Sequence, residues 1–209
     1  DAVEKSGSVP VQVGIPGGFM VYNTLDVLGA AQALGVSLEE SARVLAAVPH
    51  VKGRVEVVPT PGKDYTILID YAHSPDGLEN VLTSVKGFAK GRTIALFGCG
   101  GDRDKTKRPK MGKIAADIAD FVVVTSDNPR TENPGDIIAD ILPGLEGSNT
   151  PHVVIEDRVE AIHWAMDHAQ PGDVIALCGK GHETYQEINH VKHHMDEREI
   201  VADYLKAGN

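Results

Sequence analysis

Cysteine is scarce in this chain of 209 residues, which contains only Cys99 and Cys178. The two cysteines are far apart in the sequence and form no Cys-x-x-Cys pair, so they predict neither a disulfide framework nor a zinc ribbon. Such sparse use of cysteine fits a reducing compartment, and we therefore expect a cytoplasmic protein.

Long hydrophobic runs and an excess of positive charge are also missing. No apolar stretch reaches the roughly 18 residues that span a bilayer, and the first residues have no signal-peptide character. Lysine and arginine number 20 against 30 acidic residues, and the resulting net charge of −10 argues against a nucleic-acid surface. We expect small-molecule partners, no nucleic acid, no membrane and a monomer. Because the chain begins without methionine, we also expect it to be a fragment.

What is present is a regular alternation of strand and helix patterns. Short apolar runs predict strands at residues 55–58, 65–70, 93–97, 121–125, 152–155 and 174–178. Apolar residues at helical spacing predict intervening helices at residues 75–87, 109–118, 134–145 and 158–169. This alternation predicts an α/β fold with a Rossmann-like, mainly parallel sheet and helices on both faces. A hairpin at residues 185–188 and 191–195 and a helix at residues 197–206 complete the pattern.

The first part of the chain has a different pattern. Two amphipathic helices are predicted at residues 23–34 and 37–48, and the second begins with a capping box in which Ser37 is the N-cap and Glu40 reaches back to it. The strands begin only afterwards, and the boundary is expected near residues 50–53, from His50 to Gly53. The sequence therefore predicts a short helical part, residues 1–53, and an α/β domain, residues 54–209.

An unusual polar turn follows the predicted strand at residues 121–125. Asp127-Asn128-Pro129-Arg130 gathers an acid, an amide and a guanidinium, and its proline stiffens the backbone. In open α/β sheets, ligands bind beyond the carboxyl ends of the strands. An arginine fork beside an acid suits a zwitterion. These four residues alone are explained equally well by an ordinary polar loop with an Asn-Pro turn.

Three further strand ends carry comparable chemistry. Residues 70–76 bring an acid and a histidine to a helix start, where Ser74 is the expected N-cap. Residues 98–104 form a flexible glycine-rich turn that would let the backbone approach a ligand, which Arg103 could face, and residues 179–183 follow the last buried strand. None matches the GxGxxG fingerprint or the GxxxxGK[ST] phosphate loop. Each alone is an ordinary glycine turn, but together on one sheet edge they predict a binding site.

Two other polar clusters are interpreted as structural. His190, His193 and His194 lack a cysteine or a spaced acid that would complete a tetrahedral set, so a solvated hairpin is favoured over a metal site. The basic run at residues 105–110 is interpreted as a solvated helix start with some attraction for an anionic substrate. No catalytic residue and no metal ligand is predicted in the chain.

Together, residues 70–75, 98–109, 127–130 and 179–183 resemble the C-terminal region of the Mur ligases of peptidoglycan synthesis, most of all the members that add meso-diaminopimelate. The resemblance runs from about Gly14 to the end of the chain, and Met20 departs from it because the family usually has asparagine there. No GTNGKT-type phosphate loop occurs in the sequence. The chain therefore resembles roughly the last two-fifths of such an enzyme.

This resemblance implies an ATP- and Mg²⁺-dependent amide ligation on a UDP-linked muramoyl dipeptide. The D-glutamate side-chain carboxylate would become an acyl phosphate, and an amine of meso-diaminopimelate would displace phosphate. Residues 1–53 would be the end of the central domain, and the magnesium ligands are expected in the part of that domain outside this chain. The chain alone is expected to be inactive. The resemblance implies nucleotide contacts by Asn23, Arg54, Asp70 and His73, and a diaminopimelate site of Arg103, Asp127, Asn128, Pro129, Arg130, Gly179 and Glu183.

The chemistry of these side chains fits diaminopimelate. Arg103, Arg130 and Asn128 can hold a carboxylate, while Asp127 and Glu183 can hold an ammonium group. Arg130 is expected to discriminate against lysine, which has no distal carboxylate. The alternatives are a ligase that adds lysine or a D-alanyl dipeptide, and a non-catalytic amino-acid-binding module. A dinucleotide-binding oxidoreductase ranks lower because its fingerprint is absent.

Overall fold

The computed structural model describes residues 2–4, 7–12, 18–47 and 51–208. The chain divides into two compact units, Asp1–Val51 and Lys52–Asn209, and each is described separately below. Gly14, where the family resemblance begins, and His50, at the predicted domain boundary, lie outside the described residues. The domain boundary at residue 53 and the origin of the first part in a central domain stay predictions.

The first unit contains a small hairpin that the sequence did not predict and the two predicted helices. The elements are β1 (Ala2–Glu4), which pairs antiparallel with β2 (Gly7–Val9), then α1 (Gly18–Ala33) and α2 (Leu38–Ala47). Helix α1 begins five residues before its predicted start. Val48, the predicted end of the second helix, lies outside the described residues.

The predicted capping box of α2 is half formed. The Ser37 hydroxyl accepts the Glu40 N–H at 3.2 Å, as an N-cap should. The Glu40 carboxylate, however, accepts two hydrogen bonds from Arg43 at 2.9 and 2.6 Å. The expectation that Glu40 reaches back to Ser37 is therefore wrong, because a guanidinium one turn ahead competes for the carboxylate.

The second unit is a six-stranded sheet with helices and a terminal hairpin. The sheet strands are β3 (Glu56–Val58), β4 (Thr66–Asp70), β5 (Thr93–Phe97), β6 (Phe121–Val124), β7 (His152–Val154) and β8 (Val174–Cys178). The helices are α3 (Pro75–Lys86), α4 (Lys107–Ile118), α5 (Pro134–Ile141), α6 (Arg158–Asp167) and α7 (Glu197–Lys206), with one 3-10 turn at Leu142–Gly144. The hairpin consists of β9 (Tyr185–Ile188) and β10 (Val191–His194).

Strand β8 lies at the centre of the sheet although it is the last of the six in the chain. The order is β3-β4-β8-β5-β6-β7, and all neighbours are parallel except β3, which runs antiparallel to β4 at one edge. Every residue of β5 and β8 is buried, which explains why both are continuous apolar runs in the sequence. The predicted α/β fold with a Rossmann-like, mainly parallel sheet is confirmed.

Helices cover both faces of this sheet, as predicted. On one face, Ile69, Leu96 and Leu177 pack in a buried cluster with residues of α6 and α7. On the other face, α3 contacts β5 and β8, and α4 contacts β6. Because the central strands are clamped between helix layers, their carboxyl ends and the turns that follow them are held at one edge.

The start of α3, at this edge, follows the predicted chemistry. The Ser74 hydroxyl accepts the Gly77 N–H at 3.3 Å, and Pro75 occupies the first position of α3. Helix α4 begins two residues earlier than predicted.

None of the described helices is both long and apolar enough to cross a membrane.

Candidate functional site

A cavity of about 280 Å³ opens at the carboxyl edge of the sheet. It is formed by the turns after β4, β5, β6 and β8, the four strand ends that the sequence singled out. Six of the seven residues predicted to bind diaminopimelate line it, the exception being Pro129, and His73 of the predicted nucleotide contacts lines it as well. The lining residues are Tyr71, His73, Gly100, Arg103, Asp104, Lys107, Asp127, Asn128, Arg130, Gly179 and Glu183.

The side-chain amide of Asn128 is held in one orientation. Its Oδ1 accepts a hydrogen bond from Lys180 Nζ at 2.7 Å and another from the Glu187 N–H at 2.8 Å. Its Nδ2 donates to Glu183 Oε2 at 2.9 Å. Since Oδ1 has two donors and Nδ2 has an acceptor, a flipped amide would break all three bonds. The residue is 5% exposed and enters the cavity preoriented.

Two acids of the cavity share one buried ammonium group. Lys180 is fully buried, and its Nζ lies 3.3 Å from Glu183 Oε2 and 3.4 Å from Asp127 Oδ1. Asp127 Oδ1 is itself buried and has no hydrogen-bond partner among the described residues. The group of Asp127, Glu183 and Lys180, named here the acid–lysine cluster, therefore has a formal charge of −1. This charge suits a ligand ammonium group.

Arg130 is fixed through both its backbone and its side chain. Its backbone has a left-handed φ of 51°, a conformation that costs a non-glycine residue free energy. Two backbone hydrogen bonds to the β9–β10 hairpin hold it there: its N–H donates to Glu187 O at 3.0 Å, and its carbonyl accepts from Asn189 N at 2.7 Å. Its Nη1 donates to Gly101 O at 2.8 Å, and its Nε lies 3.5 Å from the Glu187 carboxylate. The guanidinium is thus preoriented at the cavity wall.

The glycine-rich turn after β5 packs against the turn after β6. A Cβ at Gly98 would collide with Thr125 O, and one at Gly101 would collide with Pro129 O. Gly101 N also donates to Asn128 O at 2.9 Å. The sequence predicted that this turn lets the backbone approach a ligand; Gly100 lines the cavity, whereas the close approaches of Gly98 and Gly101 are to the neighbouring turn. Their absence of side chains therefore allows two site turns to touch.

Arg103 and Lys107 bring positive charge to the cavity from this same segment. Arg103 lines it with an exposed side chain whose Nη1 donates to Asp102 O at 2.9 Å. Lys107, at the start of α4, donates to His73 O at 2.6 Å. Arg103 and Lys107 belong to the segment after β5, whereas Arg130 belongs to the turn after β6. Positive charge that can attract a carboxylate therefore reaches the cavity from two segments.

The basic run is not uniformly solvated, and that prediction is wrong for Arg108. Its side chain is fully buried, and its guanidinium donates to Glu132 at 3.0 and 2.9 Å and to Asp140 at 2.8 Å. Glu132 also accepts the Asp102 N–H at 2.6 Å and pairs with Lys105 at 3.1 Å. The hydrogen bonds from Arg108 lower the pKa of Glu132 to about 2. This ion cluster ties the turn after β5 to the chain after Arg130.

The residues predicted to contact the nucleotide have different surroundings. Tyr71 lies between His73, at 4.7 Å between ring centroids, and His182, at 5.1 Å, with interplanar angles of 53° and 48°. The Arg54 guanidinium lies 5.4 Å from the Tyr71 ring centroid. Burial, with the nearby Glu183 and other charged groups, raises the pKa of Tyr71. Arg54 and His73 thus meet on one aromatic ring.

Asp70 and Asn23 lie elsewhere. Asp70 is 4% exposed, and its Oδ2 accepts the Val55 N–H at 2.8 Å. Burial raises the pKa of this carboxyl group. Its observed contacts hold the segment that enters the second unit. Asn23 lies on α1 in the first unit.

Three contributors to the site were missed in the sequence. Lys180 holds Asn128 and both acids, Glu187 holds Arg130, and Gln186 donates to Asp127 O at 2.7 Å and to Ser126 Oγ at 3.0 Å. Lysine between two glycines, directly after a wholly apolar strand, was an available signal for Lys180. No local signal existed for Gln186 and Glu187, because a hairpin's approach to a turn about 60 residues earlier is a tertiary contact.

Comparison with known proteins assigns this arrangement to a family. The family model described as "Mur ligase, glutamate ligase domain" matches residues 53–181. A UDP-N-acetylmuramoyl-L-alanyl-D-glutamate--2,6-diaminopimelate ligase from Caldanaerobacter subterraneus subsp. tengcongensis is 52% identical over 195 residues, which are 93% of this chain and 40% of that protein. The ligase of the same name from Clostridium botulinum is 44% identical over 207 residues, 99% of this chain and 42% of that protein.

Solved structures agree with these matches. The structure of a UDP-N-acetylmuramoyl-L-alanyl-D-glutamate--2,6-diaminopimelate ligase has a TM-score of 0.71 and 40% identity, covering 99% of this chain and 42% of its own. The fold is shared by the MurF ligase from Thermotoga maritima in complex with ADP, with a TM-score of 0.63, 18% identity, and coverage of 94% of this chain and 40% of that one. The chain thus spans about two-fifths of the length of the relatives it matches. Because the family model covers more than half of its residues, the chain belongs to the Mur ligase family.

Proposed function

We propose that the chain supplies the amino-acid-binding part of an ATP-dependent ligase that adds meso-diaminopimelate to UDP-N-acetylmuramoyl-L-alanyl-D-glutamate in peptidoglycan synthesis. Relatives at 52% and 44% identity carry diaminopimelate ligation in their names. The observation that carries the proposal is the position of the Arg130 guanidinium in the same cavity as Asp127 and Glu183. A carboxylate-binding group and ammonium-binding groups are therefore side by side, as an amino acid requires.

Carboxylate and ammonium groups of diaminopimelate both have partners in this scheme. Arg130, Arg103 and Asn128 bind carboxylate oxygen, and Glu183 with Asp127 binds an ammonium group. Glu183 Oε2 is engaged by Asn128 and Lys180, which leaves Oε1 to accept a hydrogen bond from the ligand. Pro129 and Gly179 contribute shape: the proline stiffens the turn, and Gly179 has a φ of 117° that favours glycine.

The described residues also fit the outer part of a nucleotide site. Arg54, Tyr71 and His73 form a cationic and aromatic surface that suits a nucleobase or ribose, and Asp70 would act by holding the backbone beside Arg54. The nucleotide contact that the family resemblance implies for Asn23, in the first unit, stays a prediction. The described residues include no cluster of three or more acidic, histidine or cysteine side chains suited to a metal. In this proposal the magnesium ligands belong to the central domain of the ligase.

In the proposed reaction the chain acts on the amine nucleophile. ATP, when bound, supplies the phosphoryl group that turns the D-glutamate side-chain carboxylate into an acyl phosphate with a good leaving group. The cavity residues hold charged groups of diaminopimelate other than the reacting amine, so that this amine meets the acyl carbon in a fixed geometry. A C–N bond forms, the C–O bond to phosphate breaks, and the nitrogen loses a proton. Orientation and charge complementarity are the contributions of this chain.

The test removes the Arg130 guanidinium in a complete ligase. We suggest a chimera in which this chain replaces the matching C-terminal part of the Caldanaerobacter ligase. Arg130→Ala should lower kcat/KM for meso-diaminopimelate by roughly 30-fold to 1,000-fold, because a desolvated ligand carboxylate loses its partner. The KM for ATP should change by less than about threefold.

Arg43→Ala is the matched control, since Arg43 forms only an exposed pair with Glu40 on α2. Arg43→Ala should leave kcat/KM for meso-diaminopimelate and the KM for ATP unchanged. Equal losses for ATP and diaminopimelate in Arg130→Ala would contradict the assignment. Turnover of lysine or a D-alanyl dipeptide in preference to diaminopimelate would favour the other family members, and calorimetric binding of diaminopimelate without any ligation by the chimera would favour a binding module.

A further inference from the structure

Lys180 is the one fully buried lysine among the described residues, and it lies directly behind the proposed ammonium-binding groups. Its Nζ donates to Asn128 Oδ1 at 2.7 Å and to Glu183 Oε2 at 3.3 Å, and it lies 3.4 Å from Asp127 Oδ1. The three contacts use oxygen atoms of three different cavity residues. Lys180 does not line the cavity itself.

We propose that Lys180 is a positioning residue that keeps Asp127 and Glu183 both ionised and holds Asn128 in its binding orientation, without touching the ligand. The proposal rests on the proposed function, because it concerns the same amino-acid site. In this proposal Lys180 determines the net charge of the ammonium-binding end of the cavity. With the lysine, that charge is −1 and matches one ammonium group; without it, Asp127 and Glu183 lose the one cation with which either forms an ion pair among the described residues.

The charged and titratable groups around Lys180 come from four segments. Asp127 follows β6, Glu183 follows β8, Tyr185 of β9 places its ring centroid 5.5 Å from Nζ, and Tyr71 follows β4 close to both acids. Among these, Lys180 is the cation that contacts both carboxylates. Loss of Lys180 therefore removes the cation partner of both acids at once.

Replacing Lys180 with methionine removes the charge and keeps most of the side-chain volume. Two neighbouring carboxylates without a cation repel each other, so the pair takes up a proton more readily than it does beside Lys180. The ligand ammonium group must then displace that proton. Binding of diaminopimelate by Lys180→Met should consequently improve as the pH rises, by up to about tenfold per pH unit.

The experiment is calorimetric titration of the 209-residue chain with meso-diaminopimelate between about pH 6 and about pH 8.5. The unsubstituted chain should bind with an affinity that changes little over this range. Lys180→Met should bind at least about tenfold more weakly at the acid end, with the deficit shrinking toward the alkaline end. A deficit that is constant with pH, or no deficit, would overturn the proposal, because a packing role alone has no pH dependence.

Two further variants complete the test. Lys192→Met is the matched control, since Lys192 also lies over the Tyr185 ring, at 4.0 Å, but is exposed and contacts neither acid; it should bind like the unsubstituted chain. Asp127→Asn added to Lys180→Met leaves Glu183 as the one carboxylate of the cluster; because it also removes an ammonium-binding group, this double variant should bind diaminopimelate more weakly than the unsubstituted chain, but its affinity should no longer rise with pH. A double variant whose affinity still rises with pH as in Lys180→Met would overturn the proposal. Failure of the unsubstituted chain to bind would instead reject the proposed function.

Discussion

At the scale of single residues, buried arginines connect the turns that form the cavity. Arg108 is 0% exposed and joins Glu132, beyond Arg130, to Asp140 of α5. An unpaired charge in this position would be strongly unfavourable, so the guanidinium favours the ionised form of the Glu132 carboxylate that meets it. The pKa of about 2 at Glu132 expresses that requirement.

This arrangement predicts a specific pH dependence of stability. The folded pKa of Glu132 is lowered from 4.5 to about 2, so its contribution is fully present above the unfolded pKa and is lost as the pH falls through the folded one. Glu132→Gln should lower the free energy of unfolding by about 1–3 kcal/mol at neutral pH. The difference from the unsubstituted chain should shrink steadily below about pH 4.5.

Urea unfolding at a series of pH values measures this difference. Glu146→Gln makes the same change of charge on an exposed side chain with no hydrogen bond or ion pair among the described residues. The free energy of unfolding of Glu146→Gln should stay close to that of the unsubstituted chain at every pH. A deficit in Glu132→Gln that is the same in acid as at neutral pH would contradict the role given to the Arg108–Glu132 pair.

At the scale of elements, the first residue of α6 fastens two strand ends and a second helix. Arg158 donates to Ser126 O, after β6, at 3.2 Å and to Cys178 O, the end of β8, at 2.9 Å. It also pairs with Glu197, the first residue of α7, at 2.8 Å, and both side chains are 1% exposed. The spacing of the two strand ends beneath the cavity therefore depends on one guanidinium.

Removal of this guanidinium should destabilise the second unit strongly. Arg158→Met leaves the Glu197 carboxylate buried and unpaired, and we expect a loss of about 3–5 kcal/mol in the free energy of unfolding. Urea unfolding followed by the fluorescence of Trp164, the one tryptophan in the chain, reports the change.

The double variant Arg158→Met with Glu197→Met should recover much of this stability, since it replaces both charges by apolar groups. Lys113→Met is the control, because it breaks an exposed pair with Asp117 and should cost less than about 1 kcal/mol. An equal loss in the single and double variants would mean that packing, not the buried charge, determines the effect.

The limits of sequence-based prediction follow from the same elements. β5 and β8 were located to the residue because strands buried on both faces are unbroken apolar runs between polar turns. Helix α4 was placed two residues late because Lys107 and Arg108 carry charges that disguise the helix start, although Arg108 is buried. The members of the cavity at strand ends were predictable, because parallel strands end at one edge. Lys180 was not assigned, since its partners lie on other segments.

At the scale of the whole molecule, the chain divides into two units, and the residues of the proposed amino-acid site all lie in the second, Lys52–Asn209. The sequence contains no GTNGKT-type phosphate loop, and the described residues contain no metal-binding cluster. Under the proposed function, this chain binds the amino acid and another part of the ligase transfers the phosphoryl group.

We therefore expect the isolated chain to fold and to catalyse no ligation. Incubation with ATP, Mg²⁺, the UDP-linked muramoyl dipeptide and diaminopimelate should release no ADP above the background without enzyme, as measured by a coupled assay. The chimera with the Caldanaerobacter ligase is the positive control and should release ADP in step with tripeptide product. Measurable ligation by the chain alone would refute the expectation.

The central position of β8 has a consequence for how the protein is made. β4 and β5 have no neighbour between them until residues 174–178 have been synthesised, and at roughly 5–20 residues per second the ribosome takes seconds to reach them. During that interval two apolar strands have open edges, which are sites for aggregation and for chaperone binding. Since Gly179 and Glu183 follow β8 directly, the proposed amino-acid site is complete only after β8 and the turn behind it have been synthesised, and a shorter nascent chain cannot hold the ligand.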